Sequence, residues 1–452
     1  MDTTPDFTTR LKAAVGAPGA PLVFLGNFEV EEQWARGEYG LPRVSASSGV
    51  AVVNKMDEFA LLLAGPDDHV VLKTAPDESY LDYLVGLGVR LPTTHVIADQ
   101  DPQKTVTADA IDDERVVAEL AALAPLGARI APHGVSEVEE RLSAVTGLAL
   151  AGPSAEICKA VNSKVYSRRA AYELGIPQPK GWACATLAEF DAAVVAASEL
   201  LEAGRKVVLK EALGVSGKGI AVVDSIHRLQ RLQKMIVKQV ERGGVDRIGF
   251  VIEDWVAKRA DLNYQFTVSR DGDVHFDFVK EAITEGGVHK GHRMPAALSP
   301  SQVDLLRGVS DLIGKKLASD GYHGVVGVDA IVAPDETVHP VIEINARNNM
   351  STYQVRLTEQ FVNPGQVVIA RHYPLRLSAP LPFERLAPAL HGLLLERAGG
   401  EGLLVNNFAT VNAAATAAAE FDGRLYGLIV ADSVERANVL DTELTARLAT
   451  RH

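Results

Sequence analysis

Short apolar runs alternate with amphipathic stretches through the first third of the chain. Pro21–Gly26 (PLVFLG), His69–Leu72, His95–Ala98 and Ala128–Ala131 are compact and apolar, the pattern of strands buried on both faces. Asp113–Leu123 and Val135–Val145 space their apolar residues as helices do. Strands interleaved with helices predict an open, mostly parallel α/β sheet up to about residue 152. The first run ends Gly26-Asn27-Phe28, so the glycine fingerprint of a dinucleotide site is absent.

The turn-rich Ala151-Gly152-Pro153-Ser154 opens a second section. Ser154–Leu174 predicts one helix, stopped by Gly175 with Pro177 and Pro179 beyond. A helix over Leu187–Leu201 precedes a strand (Val207–Lys210), a glycine loop (Gly214–Gly219) and a returning strand (Ile220–Val223). Then follow a helix near His227–Val240 and strands at Gly249–Ile252, Tyr264–Val268 and Val274–Val279. The helix Ser301–Ser319 and strands at Val325–Val332 and Val338–Ile344 complete it. The remainder holds two strand-like runs, Leu403–Val411 and Leu425–Val430, and a final helix from Asp432, a small α+β appendix. The expected domains are 1–152, 153–374 with an internal boundary near 256, and 375–452.

A length of 452 residues fits several domains sharing interfaces. No apolar run is long enough to cross a bilayer, and Met1–Gly16 lacks the apolar stretch of a secretory signal. The net charge of −13 argues against a general nucleic-acid binder. Two cysteines, Cys158 and Cys184, make neither a disulfide framework nor a thiolate zinc site. A reducing cytoplasm is the expected compartment.

Candidate chemistry concentrates in the second section. In Glu211-Ala-Leu-Gly214-Val-Ser216-Gly217-Lys218-Gly219 the glycines let backbone amides approach phosphates. Taken alone, such a loop also reads as a plain turn. Lys210 ends an apolar strand and needs a partner or a route to solvent, and Lys164 by itself is an ordinary helix lysine. Glu253, Trp255 and Val256 close another strand, where a carboxylate and backbone groups can read an adenine edge, with Asp261 near ribose hydroxyls; two surface acids flanking a core Trp fit equally. The most informative group is Asp329 in one strand with Glu343 and Asn345 in the next. Positions i and i+2 share a face, and an all-oxygen set suits Mg²⁺ completed by nucleotide phosphates. Between these segments, Gly287-Val-His289-Lys-Gly291-His292-Arg293 offers four basic-capable side chains, the character of a mobile anion-binding lid.

Taken in order, Lys164, Lys210, the glycine loop, Glu253-x-Trp255-Val256, Asp329 and Glu343-x-Asn345-x-Arg347 resemble the ATP-grasp superfamily over about residues 152–374. The resemblance implies an ATP-grasp fold with an N-terminal pre-ATP-grasp domain. It implies Lys164, Lys210 and Gly214–Gly219 on ATP phosphates, Glu253 with Trp255–Val256 on adenine, Asp261 on ribose, and Mg²⁺ on Asp329, Glu343 and Asn345. Gly287-Val-His289-Lys-Gly291 also looks like a loop of the carbamoyl phosphate synthetase branch. That branch continues Asp-Ser, and His292-Arg293 here suggests an anionic substrate group with Arg293 as its ligand. Arg347, Arg293 and His289 are the candidate catalytic side chains.

The whole chain looks most like peptide ligases of antibiotic biosynthesis. That implies a guanidino-bearing acid, activated as an acyl phosphate and joined to the N-terminal amine of a peptide, in an enzyme that can form a homodimer. Rival readings on the same scaffold are a dipeptide-forming amino-acid ligase and a bicarbonate-using carboxylase. A non-catalytic nucleotide sensor is a rival of another class.

Overall fold

A computed structural model describes residues 5–41, 50–214, 219–244, 247–285, 288–415 and 420–449. The N-terminal apolar runs become β1 (Leu22–Leu25), β2 (His69–Leu72), β3 (Thr93–Val96) and β4 (Arg129–Pro132), joined by β5 (Ala149–Leu150). They form a parallel sheet of order β3-β2-β1-β4-β5. The helices between them start where a side chain meets free amides: Asp77, Thr105 and Asp113 cap their helices, and Ser136 with Glu139 closes a reciprocal box.

The helix expected over Ser154–Leu174 is two, Ala155–Val161 and Lys164–Glu173. Asn162 donates Nδ2 to Cys158 O (2.7 Å) and Ala346 O (3.1 Å), and Ser163 caps the second helix. The apolar periodicity spans the break, which is why sequence alone fused the two.

A four-stranded antiparallel sheet follows: β6 (Gly181–Thr186), β7 (Val207–Glu211), β8 (Ile220–Val223) and β9 (Arg247–Asp254), in the order β6-β9-β7-β8. The helices Leu187–Glu202 and Ile226–Gly243 share its core. The N-terminal segment reaches across to it, with Leu41 buried in that core and Glu38 paired to Lys159 at 2.7 Å.

The third sheet has eight strands: β10 (Ala260–Val268), β11 (Val274–Glu285), β12 (Val288–Met294), β13 (Gly324–Val332), β14 (Val338–Asn345), β15 (Val367–Leu377), β16 (Gly402–Asn407) and β17 (Phe421–Ala431), in the order β14-β13-β10-β11-β12-β15-β17-β16. Two expectations change here. The boundary at 374/375 falls inside β15, and β16 and β17 continue the same sheet, so the C-terminal portion has no sheet of its own. The stretch expected as a mobile lid is largely the antiparallel pair β11–β12, with Glu281 opposite Arg293 and Ala282 opposite His292.

Candidate functional site

Across the third sheet, Lys280 stands opposite Asn263, Asn263 opposite Asp329, and Asp329 opposite Glu343. Directly paired residues share a face, so these four form one row; Asn263, Asp329 and Glu343 lie on the floor of a cleft, and Lys280 is buried beside it. The cleft, of about 580 Å³, is lined by Lys164, Gly214, Asn263, Asp329, Glu343 and Arg347, among others. That volume is within the range of small-molecule sites.

Asp329 accepts from Asn263 Nδ2 (2.9 Å) and Asn345 Nδ2 (3.4 Å). Burial, and next the Glu343 carboxylate, push its pKa up to about 6. Lys164 Nζ lies 2.6 Å from Glu343 Oε1. The helix break explains this contact, because it puts Lys164 in a first turn whose N–H bonds Ala212 O at 2.9 Å.

Arg347 donates to Asn345 Oδ1 (3.0 Å) and Asn348 O (2.9 Å), and pairs with Glu31, which the N-terminal domain supplies. Asp329, Glu343 and Asn345 are therefore brought together. The Oδ1 of Asn263 is buried without a partner beside them. Among the described residues no three His, Cys, Asp or Glu side chains form a closed metal cage. Two carboxylates plus amide oxygens instead fit a hard cation such as Mg²⁺, which keeps waters and shares phosphate oxygens; Asn345 would join by turning its amide over.

On the second sheet, Lys210 is buried against Glu253, and Arg168 NH1 holds the same carboxylate at 3.0 Å. Glu253 is thus engaged by two cations instead of standing open to an adenine amine. Trp255 is 46% exposed, and its backbone N–H bonds Lys206 O at 2.9 Å. Val256 beside it is half-buried. Asp261 lines the cleft and pairs with Lys258 at 2.6 Å.

Gly219 has φ +80°, and a Cβ there would come within 2.4 Å of Glu211 Oε2, so only glycine fits this turn without strain. Ser216, Gly217 and Lys218, and the His289 side chain, lie outside the described residues.

Arg293 is a correction. The register that puts Ala282 and His292 in the cleft turns Arg293 to the opposite face, where it meets Glu281 at 3.0 Å. Asn263 and Glu31 are cleft residues that sequence reasoning passed over, and His292, read there only as part of a basic stretch, is a third. Alternation along β10 could have found Asn263, two residues from Asp261, whereas nothing local marks Glu31 as a partner of Arg347.

A family model described as the Pre ATP-grasp domain matches residues 56–148. The chain is 28% identical over 357 residues to a [butirosin acyl-carrier protein]–L-glutamate ligase of Niallia circulans, covering 78% of each chain. In structure it resembles the biotin carboxylase domain of Hydrogenobacter thermophilus 2-oxoglutarate carboxylase, described with MgADP, ADP and bicarbonate (TM-score 0.55, 16% identity, 94% of this chain and 89% of that one). It also resembles an N5-carboxyaminoimidazole ribonucleotide synthetase in its ADP complex (TM-score 0.52, 14% identity, 94% and 96%). With its parallel N-terminal sheet, its small antiparallel sheet and the larger sheet that floors the cleft, the chain has the ATP-grasp fold, preceded by a pre-ATP-grasp domain.

Proposed function

We propose that this protein is an ATP-dependent carboxylate–amine ligase that releases ADP and phosphate. The observation that carries the reading is the row of Asn263, Asp329 and Glu343, with Asn345 two residues on and Lys164 against Glu343. The similarity to a glutamate ligase over 78% of the chain supports an amide-forming outcome.

A carboxylate is a poor acyl donor at neutral pH. Phosphoryl transfer from ATP to its oxygen gives an acyl phosphate; the amine attacks the carbonyl carbon, and phosphate departs. Mg²⁺, held by Asp329, Glu343 and Asn345, would neutralise phosphate charge. Lys164 and Lys210 contribute fixed positive charge on the nucleotide side. Arg347, held in place by Glu31, is preorganised for the oxyanion that forms at the carbonyl. The N-terminal domain, through Glu31, makes the substrate wall of the cleft.

The finer reading is part of the proposal: the acid carries a guanidino group, and the amine is the N-terminus of a peptide. It rests on the sequence resemblance. No described helix is long and apolar enough to cross a membrane. A homodimer is expected as well, since the biotin carboxylase domain it resembles is described as one; sedimentation at assay concentration tests this.

The functional test incubates candidate acids with amino acids, short peptides and bicarbonate, in the presence of ATP and Mg²⁺, and follows ADP and product mass together. ADP matched by an amide of acid plus peptide supports the full reading. A dipeptide, or ADP that depends on bicarbonate, moves the protein to another reaction of the same scaffold. Nucleotide binding without turnover of any pair would make it a sensor.

A further inference from the structure

The ligase reading leaves open which group takes the proton from the attacking amine. Lys280 is 3% exposed. Among the described residues it makes no ion pair; Nζ donates to Gln354 Oε1 at 2.6 Å and lies 4.7 Å from the Phe278 ring centroid. Burying an uncompensated ammonium is costly, and an apolar side chain of similar length would fill the space without that cost. Burial alone brings this lysine down to about 7.

Its position gives the cost a purpose. Lys280 is the end of the row that runs Glu343, Asp329, Asn263, Lys280. Its backbone is two strand spacings, about 10 Å, from Asp329 on the side away from Lys164. On the ligase reading, that is the side left for the amine when the phosphate lies over Asp329 and Glu343. Ala282, two residues along the same face of β11, lines the cleft. So do Met350 and Ser351, immediately before the helix Thr352–Phe361 that carries Gln354.

Resting on the ligase reading, we propose that Lys280 is the catalytic base for the amine, exposed to it when Gln354 exchanges its hydrogen bond for one to the incoming substrate. The amine nitrogen forms the C–N bond as the bond from carbonyl carbon to phosphate oxygen breaks. Phosphate leaves with that electron pair, and the nitrogen's proton passes to the Lys280 amine, which returns it to solvent on product release. The charged neighbours have other partners. Glu281 holds Arg293 and the Ala297 N–H; Asp277 accepts from Gln265 and Thr267 and faces Arg10; Asp329 lies beyond Asn263. On the packed helix, Tyr353 is hydrogen-bonded to His133.

The test compares two acceptors in full-length enzyme: the amine substrate and hydroxylamine, which arrives already deprotonated near neutral pH and reports acyl phosphate formation as a hydroxamate. Lys280→Met is expected to keep hydroxamate formation within about twofold and the KM for ATP unchanged. Amide formation should fall by about 100-fold or more, and the rise of wild-type kcat with pH through about 7 should disappear. Equal loss of amide and hydroxamate in a folded variant, or amide formation with an unchanged pH profile, overturns the proposal. If Lys280→Met does not fold, Lys280→Gln is read by the same criteria. Wild-type enzyme that makes no hydroxamate with any acid overturns the ligase reading itself, an outcome distinct from a failure of Lys280.

Discussion

Replacing Asp329 with Asn should make the ligand-free protein more stable while abolishing turnover. Asp329 is confined beside Glu343, and burial together with that neighbour lifts its carboxyl from 3.8 to about 6. At about 1.4 kcal/mol per pH unit, a shift of about two units corresponds to about 3 kcal/mol. The folded state binds this proton more tightly than the unfolded state. The associated stability is therefore fully present below about pH 4 and is lost as the pH rises through about 6. Asn cannot ionise, so the variant avoids that loss. With one acceptor oxygen for two donors, it gives up one of the hydrogen bonds from Asn263 and Asn345, about 1–2 kcal/mol. The net gain at pH 7.5 is then about 1–2 kcal/mol.

Urea unfolding at about pH 4 and about pH 7.5, with and without Mg²⁺ and ATP, is the assay. The ligand-free wild type should weaken between the two pH values more than the variant does. Saturating Mg²⁺ and ATP should add about 3 kcal/mol to wild type at roughly 100 times Kd and much less to the variant. A ligand-free variant less stable than wild type at pH 7.5, or one that gains as much from Mg²⁺ and ATP, would refute the reasoning.

Three further substitutions probe the rest of the site. Gly219→Ala forces a side chain into φ +80° and against Glu211; it should lower stability by about 1–3 kcal/mol and raise the KM for ATP, read by thermal unfolding and initial rates. Glu253→Gln leaves buried Lys210 and partly buried Arg168 without their shared carboxylate; a loss of about 3 kcal/mol is expected in urea unfolding, with weaker nucleotide binding by calorimetry. Arg293→Ala removes a partly exposed pair on the far face of the sheet; stability should change by less than about 1 kcal/mol, and a substrate KM raised tenfold would show that the side chain reaches the cleft after all.

What could be read from the chain alone follows from how local each signal is. The parallel N-terminal sheet was legible because LVFL and HVVL are unbroken apolar runs, and their burial on both faces needs no knowledge of partners. Asp329, Glu343 and Asn345 were legible because acids inside apolar strands have few structural explanations. Arg293 was misplaced because its stretch, rich in glycine and charge, looked like a loop. Pairing of β11 with β12 set the alternation that turns it away. The C-terminal strands looked like an appendix because sheet membership is a long-range property, fixed by β15 pairing with both β12 and β17. The contacts of Glu31 with Arg347 and of Lys280 with Gln354 span 316 and 74 residues. No periodicity announces such contacts.

The account turns on a carboxylate being phosphorylated in the cleft above Asp329 and Glu343. Turnover of an acid labelled with ¹⁸O in its carboxyl group, with mass analysis of the released phosphate, tests this directly. The account predicts one labelled oxygen transferred to inorganic phosphate for each amide formed, with ADP as the nucleotide product. Unlabelled phosphate, or AMP and pyrophosphate in place of ADP and phosphate, would contradict it.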